Sequence, residues 1–168
     1  GHDRSLLASG RLDNLVSCWA ATTALVAATP RDHTAVIVFN DHEEVGSASV
    51  SGAGGPFLDT VLRRLVAARG GGPDDLHRCV AASACVSADN AHAVHPNYVD
   101  RHEPNHRPTV NDGPALKINA NQRYATSAPT AAQFRAACER AGVPSQVFVS
   151  ANNMPCGSTI GPITATRS

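Results

Sequence analysis

Segments with helical periodicity alternate with short apolar segments of strand length along this chain, and that alternation limits its fold more than any other feature. Residues 14–28 place Leu15, Trp19, Thr22 and Val26 on one face and are followed by Pro30, which predicts a buried helix. The apolar run 34–39 predicts a buried strand. Pro56 opens a helix with Phe57, Leu58, Val61, Leu62, Leu65 and Val66 opposite Asp59, Arg63 and Arg64, and Gly70-Gly71-Gly72 ends it. A short helix at 74–82 leads into a strand at 84–87, and a long loop occupies 95–112. A strand at 115–119, a helix at 129–141 and a strand at 146–150 complete the pattern. This order predicts an α/β fold, a layered sandwich of a mixed, mostly parallel sheet with helices on both faces.

Charge and cysteine usage narrow the function. Fourteen lysines and arginines balance fourteen aspartates and glutamates, and no basic block suggests a nucleic-acid surface. No apolar run approaches the roughly 20 residues of a membrane span, and no signal peptide opens the sequence. Five cysteines are odd in number, widely spaced and form no CxxC, which argues against a thiolate zinc knuckle and a thioredoxin-type site. Cys18, Cys85 and Cys138 read as small core residues, and this usage suits a reducing, cytoplasmic setting.

The chemistry centres on Glu43-Glu44, which directly follows the apolar run 34–39 in Asp41-His42-Glu43-Glu44-Val45-Gly46-Ser47. Two adjacent carboxylates at a strand end are costly unless positive charge compensates them. Either they form a solvated acidic turn, or one ligates a metal while its neighbour takes a proton from water. Asp13 is either an N-terminal helix charge or a metal-bridging carboxylate. Asp89 precedes His92 and His95 at three-residue spacing, as a polar loop or as converging ligands. Oxygen and imidazole donors without thiolates suit zinc, manganese or cobalt.

Lys117, flanked by apolar residues, is either a solvated strand residue or an ammonium kept for an anionic group of a substrate. Tyr124 either packs in a loop or donates its phenol to an oxyanion. Gly52-Ala53-Gly54-Gly55 lacks the pattern of a nucleotide-binding loop. Cys156-Gly157-Ser158 has no local base for covalent catalysis and reads instead as a turn offering backbone N–H groups to a substrate.

As an ordered set, these motifs resemble the aspartyl aminopeptidases, the M18 family of zinc exopeptidases. The matching segments are Arg11-Leu12-Asp13-Asn14-Leu15, His42 to Ser47, and Ser87 to Asn97, followed by Lys117-Ile118-Asn119, Asn121 to Thr126, and Pro155 to Pro162. The resemblance implies a zinc-exopeptidase-like sandwich and a cytoplasmic, dodecameric enzyme that removes N-terminal aspartate and glutamate. It implies two zinc ions bridged by Asp13, with Glu44 a ligand of one and Asp89 of the other. Glu43 would be the general base, also contacting substrate beside His92, Lys117 and Tyr124. It further implies that the chain covers the central and C-terminal part of one catalytic domain. The family's dimerisation domain and two zinc-binding histidines would lie outside it. A second reading follows, a catalytically inactive fragment with at most an assembly or interaction role.

Overall fold

The computed structural model describes residues 2–29 and 32–167. The chain divides into two compact units, one running to Phe39 and taking in Ala88–Asn90, the other holding Asn40–Ser87 and the chain from Ala91 on.

The first unit contains helix α1, Leu12–Ala27. It starts two residues earlier than the periodicity predicts, because Arg11 takes a left-handed conformation (φ 66°) and turns the chain into the helix. The stop expected at Pro30 lies outside the described residues. The expectation of a buried helix is overturned, since α1 has no buried residue and Trp19 is 70% exposed. A helix buries its apolar face only against a partner, and a unit of this size with one helix supplies too little surface for a core. The predicted strand at 34–39 likewise has no strand pairing, and Val36 and Phe39 are exposed. An apolar run reads as a strand in sequence, but a strand exists only where a neighbour accepts its hydrogen bonds.

The second unit keeps closer to expectation. Helix α2, Phe57–Ala68, ends where the glycines predict, with Gly70 at φ 81° and the Gly71 N–H donating to Val66 O. Helix α3, Pro73–Ala81, opens with the Gly72 N–H donating to the Asp75 carboxylate at 2.8 Å and buries Leu76. Strands β1, Ala115–Lys117, and β2, Gln146–Phe148, pair in parallel with Leu116 opposite Val147. Helix α4, Ala128–Arg140, makes the crossover that parallel pairing demands and buries Ala131 and Cys138. Helix α5, Ile160–Arg167, was not anticipated, because Gly161 and Pro162 in its first turn mask the pattern.

The fold is therefore α/β, with five helices and a two-stranded parallel sheet among the described residues. The strand expected at 84–87 is unpaired and Cys85 is exposed, so neither belongs to a core. The long loop is ordered by Gln146, whose side chain accepts from the Thr109 N–H and donates to the carbonyls of Thr109 and Gly113. An antiparallel bridge between His102 and Ser150 fixes its middle. Among the described residues no helix is long and apolar enough to cross a membrane.

Candidate active site

Glu43 and Glu44 open a single 3-10 turn, Glu43–Val45, that is left-handed at both ends. His42 precedes it at φ 61°, and Gly46 (φ 97°) and Ser47 (φ 58°) follow it. Left-handed conformations at His42 and Ser47 are costly for residues with a Cβ and persist only where surroundings hold them. Here the Ser47 N–H donates to His42 O at 2.8 Å, and Ser47 O accepts from the Gly54 N–H at 3.0 Å. His42 Nδ1 meets Ser49 Oγ at 2.8 Å. The glycine run explains itself in this geometry. A Cβ on Gly52 would lie 2.4 Å from Ser47 O, and one on Gly54 2.9 Å, so the run wraps Ser47 rather than an anion.

Ser47 is fully buried, and its hydroxyl meets Thr159 Oγ1 at 2.7 Å. Thr159 in turn donates its backbone N–H to Glu43 Oε1 at 3.2 Å, with its hydroxyl 3.3 Å from the same oxygen. Glu43 is half-buried while Glu44 is exposed, so the adjacent carboxylates occupy different environments.

The loop carrying Thr159 continues to a second group of side chains. The Ser158 N–H donates to Arg123 O at 3.0 Å, and Cys156 Sγ lies 2.9 Å from the Tyr124 hydroxyl. Of the N–H groups this turn was expected to offer to a substrate, those of Ser158 and Thr159 are used within the chain. Tyr124 is buried, and Lys117 Nζ sits 5.6 Å from its ring centroid, within cation–π range. Phe148, 2% exposed, meets Tyr124 edge-on at 6.2 Å, His102 edge-on at 5.6 Å and His92 at 6.4 Å. His92 O and His102 Nε2 are 3.0 Å apart.

The structure therefore brings His92, Lys117 and Tyr124 together around Phe148, and joins them to Glu43 through residues 156–159. Asp13 lies in the first turn of α1, exposed, with its Oδ1 accepting from the Asn14 N–H at 2.9 Å. Asp89, half-buried, belongs to the same unit, where the Asn90 side chain donates to Leu12 O at 3.3 Å. The stretch from Asp89 to His95 is not helical, so its spacing aligns nothing on a helix face. His95 accepts from the Asn97 N–H and stacks near Tyr98 within its own loop. A cavity of about 280 Å3 lined by Asp100, His102, Glu103 and Arg107 contains none of the residues expected at the site.

The whole chain, residues 1–168, matches the family model described as Aminopeptidase I zinc metalloprotease (M18). The chain belongs to the M18 family. It is 54% identical over 171 residues to the probable M18 family aminopeptidase 2 of Streptomyces coelicolor, covering 99% of this chain and 40% of that protein. It thus spans about two fifths of that relative's length. The crystal structure of the M18 aminopeptidase from Thermotoga maritima superposes with a TM-score of 0.84 at 28% identity, over 99% of this chain and 39% of that one. A yeast M18 dodecamer, 23% identical, shares the fold with a TM-score of 0.61 over 94% of this chain and 36% of its own.

Zinc is the metal of the M18 family, and a zinc centre needs three or four protein donors. Among the described residues no three His, Cys, Asp or Glu side chains are grouped closely enough to hold a metal. The carboxylates are of a suitable chemical kind, but these residues alone do not complete a metal centre.

Thr159, Ser47 and Phe148 had no role assigned from sequence, and Cys156 had only a place in a glycine turn. Thr159 was discoverable in part, as a threonine directly before a helix start is a capping candidate. Its bond to a residue 116 positions away has no local signal.

Proposed function

We propose that Glu43 is the general base of an aminopeptidase that removes N-terminal aspartate or glutamate from peptides. Asp13, Glu44 and Asp89 would be ligands of two zinc ions, or manganese or cobalt in their place, completed by donors from the remainder of the protein. Bound zinc would polarise the scissile carbonyl and make water acidic enough to lose a proton near neutral pH. Glu43 would take that proton from the attacking water and deliver it to the leaving amine. Lys117 would face the acidic side chain of the substrate, with Tyr124 and His92 beside it.

The observation that carries this reading is the anchoring of Glu43 by Thr159, on the same loop whose Cys156 touches Tyr124 under the Lys117 ammonium. A carboxylate fixed in orientation by a loop that also meets the ring under a lysine ammonium suits proton transfer at an acidic substrate. The M18 membership and the yeast dodecamer support a homo-oligomer, and the free cysteines support a cytoplasmic setting.

The test uses the full-length protein with zinc and substrates bearing N-terminal aspartate, glutamate or alanine. Glu43→Gln is expected to lower kcat on the order of 10²- to 10⁴-fold. Lys117→Ala is expected to lower kcat/KM for the acidic substrates roughly tenfold to a hundredfold relative to the alanyl one, as for a lost charge-assisted hydrogen bond. Full activity in Glu43→Gln would remove the mechanism, and an unchanged preference in Lys117→Ala would remove the pocket assignment.

A further inference from the structure

The two oxygens of the Glu43 carboxylate are not equivalent. Oε1 accepts from the Thr159 backbone N–H at 3.2 Å and lies 3.3 Å from the Thr159 hydroxyl. Among the described residues Oε2 carries no hydrogen bond. Thr159 directly precedes α5, whose first helical bond, from the Ile163 N–H, ends on Thr159 O. The Oε1 atom therefore sits at the positive end of that helix.

The direction of the hydroxyl bonds follows from counting protons. A hydroxyl has one proton to give and two lone pairs with which to accept. Ser47 is fully buried, and among the described residues its hydroxyl has only Thr159 Oγ1 as a partner. Were Ser47 to accept from Thr159, its own proton would be buried without an acceptor, a costly arrangement. Ser47 donating to Thr159 leaves the Thr159 proton free for Glu43. Every hydroxyl proton then has an acceptor, in the order Ser47, Thr159, Glu43, where Oε1 at 3.3 Å is the nearer and charged acceptor and the Glu43 carbonyl oxygen lies at 3.4 Å.

We infer that Thr159 is the positioning residue for Glu43, clamping Oε1 through both its N–H and its hydroxyl so that Oε2 is left to receive the proton from water. This inference rests on the assignment of Glu43 as the base. It explains why a strained turn is maintained here: Ser47, left-handed and wrapped by Gly52 and Gly54, supplies the proton that orients Thr159. Gly161 contributes by letting the start of α5 approach closely, since a Cβ there would lie 3.3 Å from Ser87. Orientation of the base matters only once a proton begins to move, so its loss acts on kcat and not on KM.

The experiment is steady-state kinetics on the full-length zinc-loaded protein with an N-terminal glutamyl substrate. Thr159→Val keeps the shape and the backbone N–H but removes the hydroxyl, and is expected to lower kcat about tenfold with KM within about twofold of wild type. Thr159→Ser retains the hydroxyl and is expected to stay within about threefold of wild type. In a Glu43→Gln background, Thr159→Val is expected to change residual activity by less than about twofold, because the clamp then has no base to orient. Wild-type kcat in Thr159→Val, an equal loss in Thr159→Ser, a loss confined to KM, or a full tenfold loss in the Glu43→Gln background would each overturn the clamp. Undiminished activity in Glu43→Gln would instead overturn the base assignment itself, so the two failures are separable. Thermal melting shows whether Thr159→Val folds. If it does not, Ser47→Ala decides, with kcat about threefold lower at unchanged KM supporting the relay and wild-type kcat overturning it.

Discussion

The turn that carries Glu43 and the helix that carries Asp13 make opposite use of the chain around them. Around Glu43, Ser47 is wrapped by nearby glycines, Thr159 reaches it from 112 residues away, and the same loop meets Tyr124. Around Asp13, the bonds are mostly local, the exception being the Asn90 side chain that donates to Leu12 O. Asp13 accepts from Asn14, Thr22 donates to Cys18 O, and Cys18 meets Asn14, while the apolar side of α1 stays exposed. Both regions reach distant residues, but the Glu43 turn buries Ser47 completely, whereas no described residue of the unit that holds Asp13 is buried. The difference separates a site whose geometry is set by packing from carboxylates that stand on a largely exposed unit.

The largest expected effect is on the packing itself. Phe148 is 2% exposed and meets three rings, so Phe148→Ala removes a side chain for which nothing else can substitute. A loss of about 3–5 kcal/mol is expected from urea denaturation of the 168-residue chain. Trp19→Ala, at a residue 70% exposed, is expected to change stability by no more than about 0.5 kcal/mol in the same measurement. Equal losses in the two variants would break the comparison, because α1 would then be packed as tightly as β2.

Backbone substitutions sharpen the same contrast on a smaller scale. Gly113 has φ 84°, and a Cβ there would lie 2.0 Å from Pro144 O. Gly113→Ala combines a left-handed alanine with a clash against backbone, and a loss of about 2 kcal/mol or more is expected. Gly10, in the other unit, has nothing within 4 Å of where a Cβ would sit. Gly10→Ala is expected to be neutral or to stabilise by up to about 1 kcal/mol, through the unfolded chain. Thermal melting of both variants reads the difference directly.

What was legible in sequence follows the same division. Helices α2, α3 and α4 were visible because their stops and starts are local, in Gly70 to Pro73 and in Ser127 to Pro129. The strand at 115–117 was visible, and so was its parallel partner across a helix. The run 34–39 looked identical in kind, yet a strand is defined by its neighbour, and composition does not say whether one is present. At the candidate site, Glu43, Lys117 and Tyr124 were candidates from the residues themselves and took their roles from the resemblance, while Thr159 and Phe148 had no role assigned. Those two act through contacts between segments 24 to 116 residues apart, which no spacing rule encodes. The helix at 160–167 was obscured by Gly161 and Pro162, the same residues that start it closely packed against the 87 and 125 segments.

The smallest expected effect compares two carboxylates, one in each unit. Glu103 is held below its ordinary value of 4.5, first by its hydrogen bond to His106 and then by bonds from Asn105. Asp3 is held below its ordinary 3.8 by the side chain and backbone N–H of Ser5. A depressed carboxylate pKa stabilises the folded state above the unfolded value, and that contribution disappears as pH falls through the folded value. Glu103 therefore favours folding near neutral pH and loses that influence as pH falls through its folded value, whereas Asp3 contributes nothing to folding where its turn survives in the unfolded chain. They differ in what maintains the bond. Glu103 is set in place by its N–H donating to Val149 O, a contact 46 residues away in sequence, whereas Asp3 and Ser5 need only their own turn. In NMR titrations, Glu103 is expected to return to its ordinary range in urea and to rise part of the way in His106→Ala, where the Asn105 bonds remain, while Asp3 keeps its depression in a short peptide spanning the turn. A Glu103 that stayed depressed in urea would show its bond to be as local as that of Asp3, and the contrast between the units would then rest on packing alone.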